Sequence, residues 1–147
     1  MMVIRQFSPT DIAAITQVVQ RSLGESYPPS LYLTVHNLWG DGFIVLVEDG
    51  KIIGFLAAVP TAPRITRILM LAVLPEKRGQ SLGQRLMSEF YVRCLEKGYD
   101  TIVLEVRKSN SIAISFYEKQ GFTITGDIEK FYSNGESAYK MLKVLQS

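Results

Sequence analysis

Residues 68–83, ILMLAVLPEKRGQSLG, place a short basic turn between an apolar stretch and the start of a helix. The apolar run Ile68–Leu74 predicts the end of a strand, which Pro75 stops. The turn Arg78–Gly83 then leads into a helix predicted over Leu82–Lys97. A helix N-terminus carries unpaired N–H groups and a partial positive charge, and small residues let a phosphate approach the backbone closely. The stretch therefore indicates either a phosphate-binding loop or an ordinary strand-to-helix turn with an exposed basic pair.

Hydrophobic periodicity outward from this turn predicts seven strands and four helices along residues 1–147. Their order is β-α-α-β-β-β-α-β-α-β-β, which is typical of one α/β domain with a mixed sheet. The third strand is expected to break at residues 61–63. The predicted strands cover about Met2–Phe7, Phe43–Glu48, Lys51–Val59, Arg64–Val73, Thr101–Arg107, Phe122–Ile128 and Glu136–Leu145. The predicted helices run from a cap at Ser8 to Leu23, from Ser30 to Leu38, from Leu82 to Lys97, and from a cap at Asn110 or Ser111 to Gln120.

The composition excludes several classes of protein. The 147 residues are 47% hydrophobic and 20% charged with a net charge of +2, a globular balance that is too weakly basic to indicate a nucleic-acid partner. A single cysteine, Cys94, excludes an internal disulfide, and a single histidine, His36, excludes a paired-histidine metal site. The longest apolar run is far too short for a membrane span, and the first residues lack the apolar core of a signal peptide. We therefore expect a cytoplasmic domain with no metal, no membrane association and no nucleic acid.

A carboxylate, Glu105, interrupts the apolar strand predicted over Thr101–Arg107. Strand alternation puts its side chain on the same face as Arg107. A carboxylate on a largely buried strand requires a partner, a water molecule or a function, so Glu105 indicates either a salt bridge with a nearby Lys or Arg or a catalytic group. Tyr117, on the packed face of the next helix, is likewise either a core aromatic residue or a functional one. Asn110 has an ordinary interpretation as the cap of that helix.

Together, the motifs RGQSLG, LEVR and N-x-x-A-x-x-FYEKQGF resemble the GNAT superfamily of acetyl-CoA-dependent N-acetyltransferases, and the order of elements resembles that fold along essentially the whole chain. The resemblance implies a mixed, mostly antiparallel central sheet of about six or seven strands flanked by about four helices. It also implies acetyl-CoA as the cofactor, with its pyrophosphate in the R-x-x-G-x-G/A loop. Ser81 stands where the first glycine of R-x-x-G-x-G is usual. The residues implied to bind the cofactor are Leu71, Ala72, Val73, Arg78, Gly79, Gln80, Ser81, Leu82, Gly83, Asn110 and Tyr117.

A narrower resemblance connects the chain with protein N-terminal acetyltransferases, the group that includes the ribosomal-protein alanine acetyltransferases. The motifs LEVR-x-x-N and FYEKQGF match the stretch that holds this group's catalytic residues, which implies Glu105 and Tyr117 here. GESYP at residues 24–28 is similar to the substrate loop between the first two helices, and KFYSNGESAY at residues 130–139 is similar to the hairpin that closes over a peptide N-terminus. The departures from the group's pattern are Gly24, Phe131 and Ser137. The implied substrate-binding residues are Glu25, Tyr27, Tyr132 and Tyr139.

The implied reaction is direct acetyl transfer in a ternary complex to the N-terminal α-amine of a protein or peptide. Cys94 lies on a predicted apolar helix stripe with no histidine close to it in sequence, so no covalent acyl-enzyme is expected. A small free amine or a lysine side chain is an alternative acceptor. A non-catalytic acyl-CoA-binding sensor is an alternative of another class, and a nucleotide-binding regulator is disfavoured because the Walker lysine spacing is missing. We expect a monomer or a weak homodimer.

Overall fold

The structure is a computed structural model that describes residues 1–146, and it places seven strands in one sheet with four α-helices. The strands are β1 (Met2–Gln6), β2 (Phe43–Glu48), β3 (Lys51–Ala62), β4 (Ile65–Val73), β5 (Thr101–Arg107), β6 (Thr123–Ile128) and β7 (Ala138–Val144). The helices are α1 (Ile12–Leu23), α2 (Pro29–Leu38), α3 (Leu82–Lys97) and α4 (Ser111–Lys119). The α/β class and the predicted order of elements are confirmed.

The sheet is mixed and mostly antiparallel, with the strand order β1-β2-β3-β4-β5-β7-β6. The only parallel neighbours among the described strands are β4 and β5. Their pairing spans only Ile65–Arg67 against Thr101–Val103, after which the two strands separate. The sheet is therefore continuous at one end of these strands and split at the other.

The apolar core lies on the strands at the centre of the sheet and on the helices that cover them. β2 is buried over Phe43–Leu46 and β3 over Ile52–Ala58, a near-continuous run typical of strands covered on both faces. α1 and α3 bury Val19, Leu86 and Phe90 completely. Each such side chain contributes roughly 1.5–3 kcal/mol through burial, so these contacts hold α1 and α3 against the sheet.

The first helix begins at a capped turn, as predicted. Pro9–Asp11 form a short 3₁₀ turn before α1, and the Ser8 N–H donates to Asp11 Oδ2 at 2.8 Å. Arg5 also donates to this carboxylate, and this contact lowers the pKa of Asp11. The helix ends at Gly24, whose φ of 66° is the left-handed conformation that glycine adopts without steric cost.

The third strand is longer than predicted. β3 continues to Ala62 instead of ending at Val59. Pro60 cannot donate a backbone hydrogen bond, but β2 pairs with β3 only as far as Ala57, so the strand end beyond that point has a single neighbour and tolerates proline. The reversal into β4 comes at Arg64, whose φ is 67°. The predicted break was therefore wrong for Thr61 and Ala62, which belong to β3, and right for Pro63, which forms a tight turn with Arg64.

Candidate active site

The separation of β4 and β5 leaves one edge of β4 open beside a cleft. Beyond the pair Arg67–Val103, residues 68–73 have no residue of β5 opposite them. A cleft of about 600 Å³ lies there, between the ends of α1 and β4, the loop before α3 and the start of α4. Its lining residues are Ser22, Leu23, Leu71, Ala72, Val73, Lys77, Arg78, Gly79, Ser81, Leu82, Gly83, Gln84, Asn110, Ile112, Ala113, Phe116 and Tyr117.

β4 is also irregular just before it reaches the cleft. Ala57 of β3 pairs with Met70, whereas the next residue, Ala58, pairs with Ile68, so Leu69 is an extra residue in β4. A bulge of this kind bends a strand and removes backbone groups from the hydrogen-bonded ladder. Together with the open edge, it leaves peptide groups of β4 available to a ligand that carries amide groups of its own.

The loop Arg78–Gly83 presents backbone N–H groups that have no protein acceptor. Gly79 and Ser81 both adopt the left-handed conformation, with φ of 80° and 58°, and the Ser81 side chain makes no cap. The first hydrogen bond of α3 runs from the Arg85 N–H to the Ser81 carbonyl at 3.1 Å. Within residues 1–146, nothing accepts from the six N–H groups of residues 79–84. Consecutive free donors at a helix N-terminus suit an anion such as a phosphate.

Two neighbouring cations, Lys77 just before this loop and Arg78 at its start, differ in their partners. Lys77 pairs with Glu48 at 2.5 Å, and this contact raises the pKa of the lysine. Arg78 makes no ion pair with any described carboxylate; its Nε and Nη2 donate to the Val73 and Ser22 carbonyls at 3.3 and 3.2 Å. Arg78 therefore ties the end of α1 to the end of β4 and brings an uncompensated positive charge to the cleft.

Glu105 lies on β5 just beyond the point where the strands separate, and it forms an ion pair with Arg67 of β4. Arg67 Nε and Nη2 lie 2.7 and 2.5 Å from the same carboxylate oxygen, Oε1. The Glu105 side chain is only 12% exposed. Burial alternates along β5, so Glu105 shares a face with Arg107, as predicted. The salt bridge considered from the sequence is present, and it leaves Oε2 with no hydrogen-bond partner among the described side chains and backbone.

Tyr117 lines the cleft. Its ring packs edge-on against Phe116 and Phe122, with centroids 5.2 and 5.4 Å apart. Burial raises the pKa of Tyr117, and the nearby Tyr132 adds to this shift. No group in residues 1–146 bonds the Tyr117 hydroxyl, so this protonated donor is available to a ligand. Asn110 caps α4, because its Oδ1 accepts from the N–H of the residue three positions on at 3.1 Å.

We use the name Glu105 cluster for a set of charged and tyrosine side chains from three segments of the chain: Glu25, Tyr27, Glu105, Arg107 and Tyr132. The Tyr27 hydroxyl donates to Glu25, and burial together with this contact raises the pKa of Tyr27 to about 12. The Arg107 guanidinium lies 3.8 Å from the centre of the Tyr132 ring. Burial raises the pKa of Tyr132, the charge of Arg107 opposes this rise, and the charges of Glu105 and Glu25 add to it, so Tyr132 is electrostatically coupled to three other members of the cluster.

The hairpin between β6 and β7 is held against this cluster by a second ion pair. Arg107 Nη1 lies 2.7 Å from Glu136 Oε2. The Tyr132 N–H donates to the Glu136 carbonyl at 3.0 Å, which closes the turn that carries both residues. The stacked and paired Arg107 therefore fixes the position of the Tyr132 ring over β5.

Comparison with known proteins identifies the family. The model of the Acetyltransferase (GNAT) family matches residues 12–122. The chain belongs to the GNAT family. An uncharacterized N-acetyltransferase of Methanocaldococcus jannaschii is 32% identical over 145 residues, and the alignment covers 97% of this chain and 91% of that protein.

Two further relatives of this GNAT domain carry more specific names. NAA20 of Arabidopsis thaliana, the catalytic subunit of an N-terminal acetyltransferase B complex, is 32% identical over 151 residues that cover 99% of this chain and 86% of that protein. The crystal structure of Ard1 from Thermoplasma volcanium has a TM-score of 0.95 at 36% identity, with 99% of both chains covered.

The cleft of this GNAT domain contains ten of the eleven residues predicted to bind the cofactor. The exception is Gln80, whose side chain is exposed and does not line the cleft, although its N–H belongs to the row of free donors. Sequence reasoning did not find Ser22 and Leu23, because nothing local indicates that the end of α1 lies against the end of β4. Ile112, Ala113 and Phe116 were also missed as lining residues, although helical spacing from Tyr117 could have indicated Ala113, four residues earlier.

Tyr139 lies apart from the Glu105 cluster. The register between β5 and β7 puts Tyr139 opposite Val106 and Lys140 opposite Glu105. Paired residues share a face and successive residues alternate, so Tyr139 lies on the face of the sheet away from Glu105, where the Lys108 amino group is 5.0 Å from its ring. Of the four predicted substrate residues, the structure brings together Glu25, Tyr27 and Tyr132, and it does not bring Tyr139 to them.

The residues that could support other chemistry are packed away from the cleft. Cys94 is completely buried, and burial raises the pKa of its thiol to about 12, so the thiol is not activated. His36 packs edge-on against Phe7 with the ring centres 5.4 Å apart. Among residues 1–146, no three His, Cys, Asp or Glu side chains gather as a metal site would require. No α-helix within that range has the length and apolar character needed to span a bilayer.

Proposed function

We propose that this GNAT domain transfers the acetyl group of acetyl-CoA to the N-terminal α-amine of a protein or peptide. The observation that carries the proposal is the split between β4 and β5, because the cleft lies beside it and Glu105 lies at its base. The relative NAA20 is named as the catalytic subunit of an N-terminal acetyltransferase complex, which supports this class of acceptor.

The free donors and the open strand edge fit acetyl-CoA. The six N–H groups of residues 79–84 and the guanidinium of Arg78 offer hydrogen bonds and positive charge to a pyrophosphate. The open edge of β4 at residues 71–73 offers peptide groups to the amides of a pantetheine arm. When bound, acetyl-CoA supplies the acetyl group as a thioester, so a carbon–nitrogen bond to the amine forms as the carbon–sulfur bond breaks.

Glu105 and Tyr117 are proposed to move the protons of this reaction. Oε2 of Glu105, which has no partner in the described structure, accepts the proton that the attacking amine must lose, either directly or through a water molecule. The free Tyr117 hydroxyl donates a proton to the departing sulfur. Solvent then returns the proton of Glu105 to Tyr117, which restores both groups for the next cycle.

The need for a neutral attacking amine favours an α-amine over a lysine side chain as the acceptor. An α-amino group has a pKa of about 7.7–8.0, whereas that of lysine is about 10.4, so a much larger fraction of α-amine is neutral near pH 7. Glu25 and Glu105 give the cluster negative charge for a cationic amine, and the Tyr27 and Tyr132 rings offer contact area to a short peptide.

One chain supplies all of these residues, which supports a monomer or weak homodimer as the active unit. We also propose a cytoplasmic location, where the N-termini of new proteins are accessible.

The proposal is tested by measuring free thiol released from acetyl-CoA with a panel of acceptors. The panel contains short peptides that begin with Ala, Ser, Met or Met-Leu, a lysine peptide with a blocked N-terminus, and spermidine. We expect turnover on one or more free N-termini and none on the blocked peptide. Turnover only on lysine or spermidine would overturn the acceptor class, and tight acetyl-CoA binding without turnover on any amine would favour a sensor.

A further inference from the structure

Arg67 occupies the last position of β4 that pairs with β5. Its partner in the register is Val103, and Glu105 follows two residues later on the same face of β5. The Arg67–Glu105 ion pair therefore crosses from one strand to the other at the base of the split. An ion pair at this point fixes the Glu105 side chain relative to both strands that border the split, β4 and β5.

The contact between these two side chains uses only one of the two carboxylate oxygens. Nε and Nη2 of Arg67 both approach Oε1, at 2.7 and 2.5 Å, instead of contacting one oxygen each. Among residues 1–146, no group donates a hydrogen bond to Oε2. Arg67 thus anchors the carboxylate through one oxygen and leaves the other with its full capacity to accept a proton or hydrogen bond.

Other charged groups face Glu105, but none of them forms an ion pair with it in the described structure. Lys140 stands opposite Glu105 in the register of β7 and is exposed. Arg107 is paired with Glu136 and stacked on Tyr132. Glu25 carries the same sign of charge as Glu105 and cannot replace the arginine. Orientation of Glu105 consequently depends on Arg67.

We propose that Arg67 is a positioning residue, which holds Glu105 through Oε1 so that Oε2 receives the proton of the attacking amine. The role rests on the proposed function, because it acts on the same reaction. Arg67 itself gains and loses no proton: the amine proton moves to Oε2, the new carbon–nitrogen bond replaces the carbon–sulfur bond, and the sulfur is protonated by Tyr117.

The test compares Arg67→Met and Arg67→Lys, each made in the wild type and in a Glu105→Gln background. We expect Arg67→Met to lower kcat about 10- to 100-fold, because a loosely held base spends little time in the reactive geometry, while the affinity for acetyl-CoA stays within about twofold. Arg67→Lys restores part of the loss because it keeps the charge. In the Glu105→Gln background, Arg67→Met changes kcat little, since the carboxylate through which it acts is gone. Lys140→Met is the matched control and leaves kcat unchanged.

Thermal unfolding supplies a readout that does not depend on activity. Removing Arg67 lowers the melting temperature of the wild type more than that of the Glu105→Gln variant if the two side chains are paired in solution. Equal kcat values for Arg67→Met and the wild type overturn the positioning role and leave the proposed function standing. Equal fold losses in the two backgrounds also overturn it, because Arg67 then acts independently of Glu105. A wild type that turns over no amine overturns the proposed function and this role with it.

Discussion

The Arg78–Gly83 loop and the Glu105 cluster use different atoms for recognition. The loop offers backbone N–H groups from one short segment, and its shape depends on two residues with positive φ, Gly79 and Ser81. The cluster offers side chains from β5, the α1–α2 connection and the β6–β7 hairpin, held in place by ion pairs. Backbone changes should therefore affect the loop most, whereas removal of single charged or hydroxyl groups should affect the cluster most. Variants of backbone conformation and variants of single side-chain groups therefore test the two regions separately.

The largest effect is expected from Glu105→Gln, which removes the proposed proton acceptor but keeps the size of the side chain. Turnover should fall by about 100-fold or more, within the range for loss of a general base. The affinity for acetyl-CoA should stay nearly unchanged, because Glu105 is not among the residues that line the cleft. Initial rates and calorimetric binding of acetyl-CoA measure the two quantities. Glu118→Gln, an exposed change on α4, is the control, and wild-type turnover by Glu105→Gln would remove this carboxylate from the mechanism.

A smaller loss, about 10- to 100-fold at every pH, is expected from Tyr117→Phe. A tyrosine whose pKa is raised keeps its proton to higher pH than usual, so the donor remains available up to at least about pH 10. The wild-type rate should accordingly rise as the amine deprotonates near about pH 8 and should not decline by about pH 9.5. The pH profiles of the two proteins should have the same shape. A decline of the wild type between about pH 8 and 9.5 that is absent from Tyr117→Phe would contradict the assigned role.

Arg78→Gln and Lys77→Gln compare these two neighbouring cations. The charge of Arg78 has no carboxylate partner in the described structure, so its loss should weaken acetyl-CoA binding about tenfold, or ~1.4 kcal/mol. The charge of Lys77 is already compensated by Glu48, so its loss should weaken binding less. Isothermal titration with acetyl-CoA measures both constants. A larger loss for Lys77→Gln would mean that the ion pair with Glu48 does not persist in solution.

The smallest effect is expected from Gly79→Ala, with Gly50→Ala as a matched control. Both glycines have φ of 80° and open space where a Cβ would stand, so each substitution should cost a similar conformational energy of about 1–2 kcal/mol. Only Gly79→Ala should also lose acetyl-CoA affinity, by several-fold, because Gly50 lies in the β2–β3 turn. Equal affinities for the two variants would contradict a role of the loop in binding. Gly83 is a poorer choice, since an added Cβ would lie 3.4 Å from the Phe116 ring.

The contrast between the two regions also explains what the sequence could predict. The loop is local: a strand end, a basic turn and a helix start follow one another, so the pattern of residues 68–83 predicts these elements and makes the turn a candidate phosphate site. The periodicity of the strands likewise gives the order of elements correctly. The end of β3 was misjudged because proline tolerance there depends on where β2 stops, at Ala57, and no local pattern contains that information.

The Glu105 cluster is non-local, and the sequence predicts it only in part. Strand alternation places Glu105 and Arg107 on one face, but the pairing of Glu105 with Arg67 depends on two strands 38 residues apart meeting in parallel register. The prediction for Tyr139 failed for the same reason, because only the register between β5 and β7 determines which face of the sheet it occupies. The tertiary structure is therefore needed to show which residues of the cluster pair with one another.

The proposed acceptor is an N-terminal α-amine, and one peptide can test it directly. A peptide with a free N-terminus and an internal lysine is incubated with the wild type and acetyl-CoA, and fragmentation mass spectrometry locates the added acetyl group. We expect a single acetyl group on the α-nitrogen, with the lysine unmodified. An acetyl group on the lysine and a free N-terminus would contradict it.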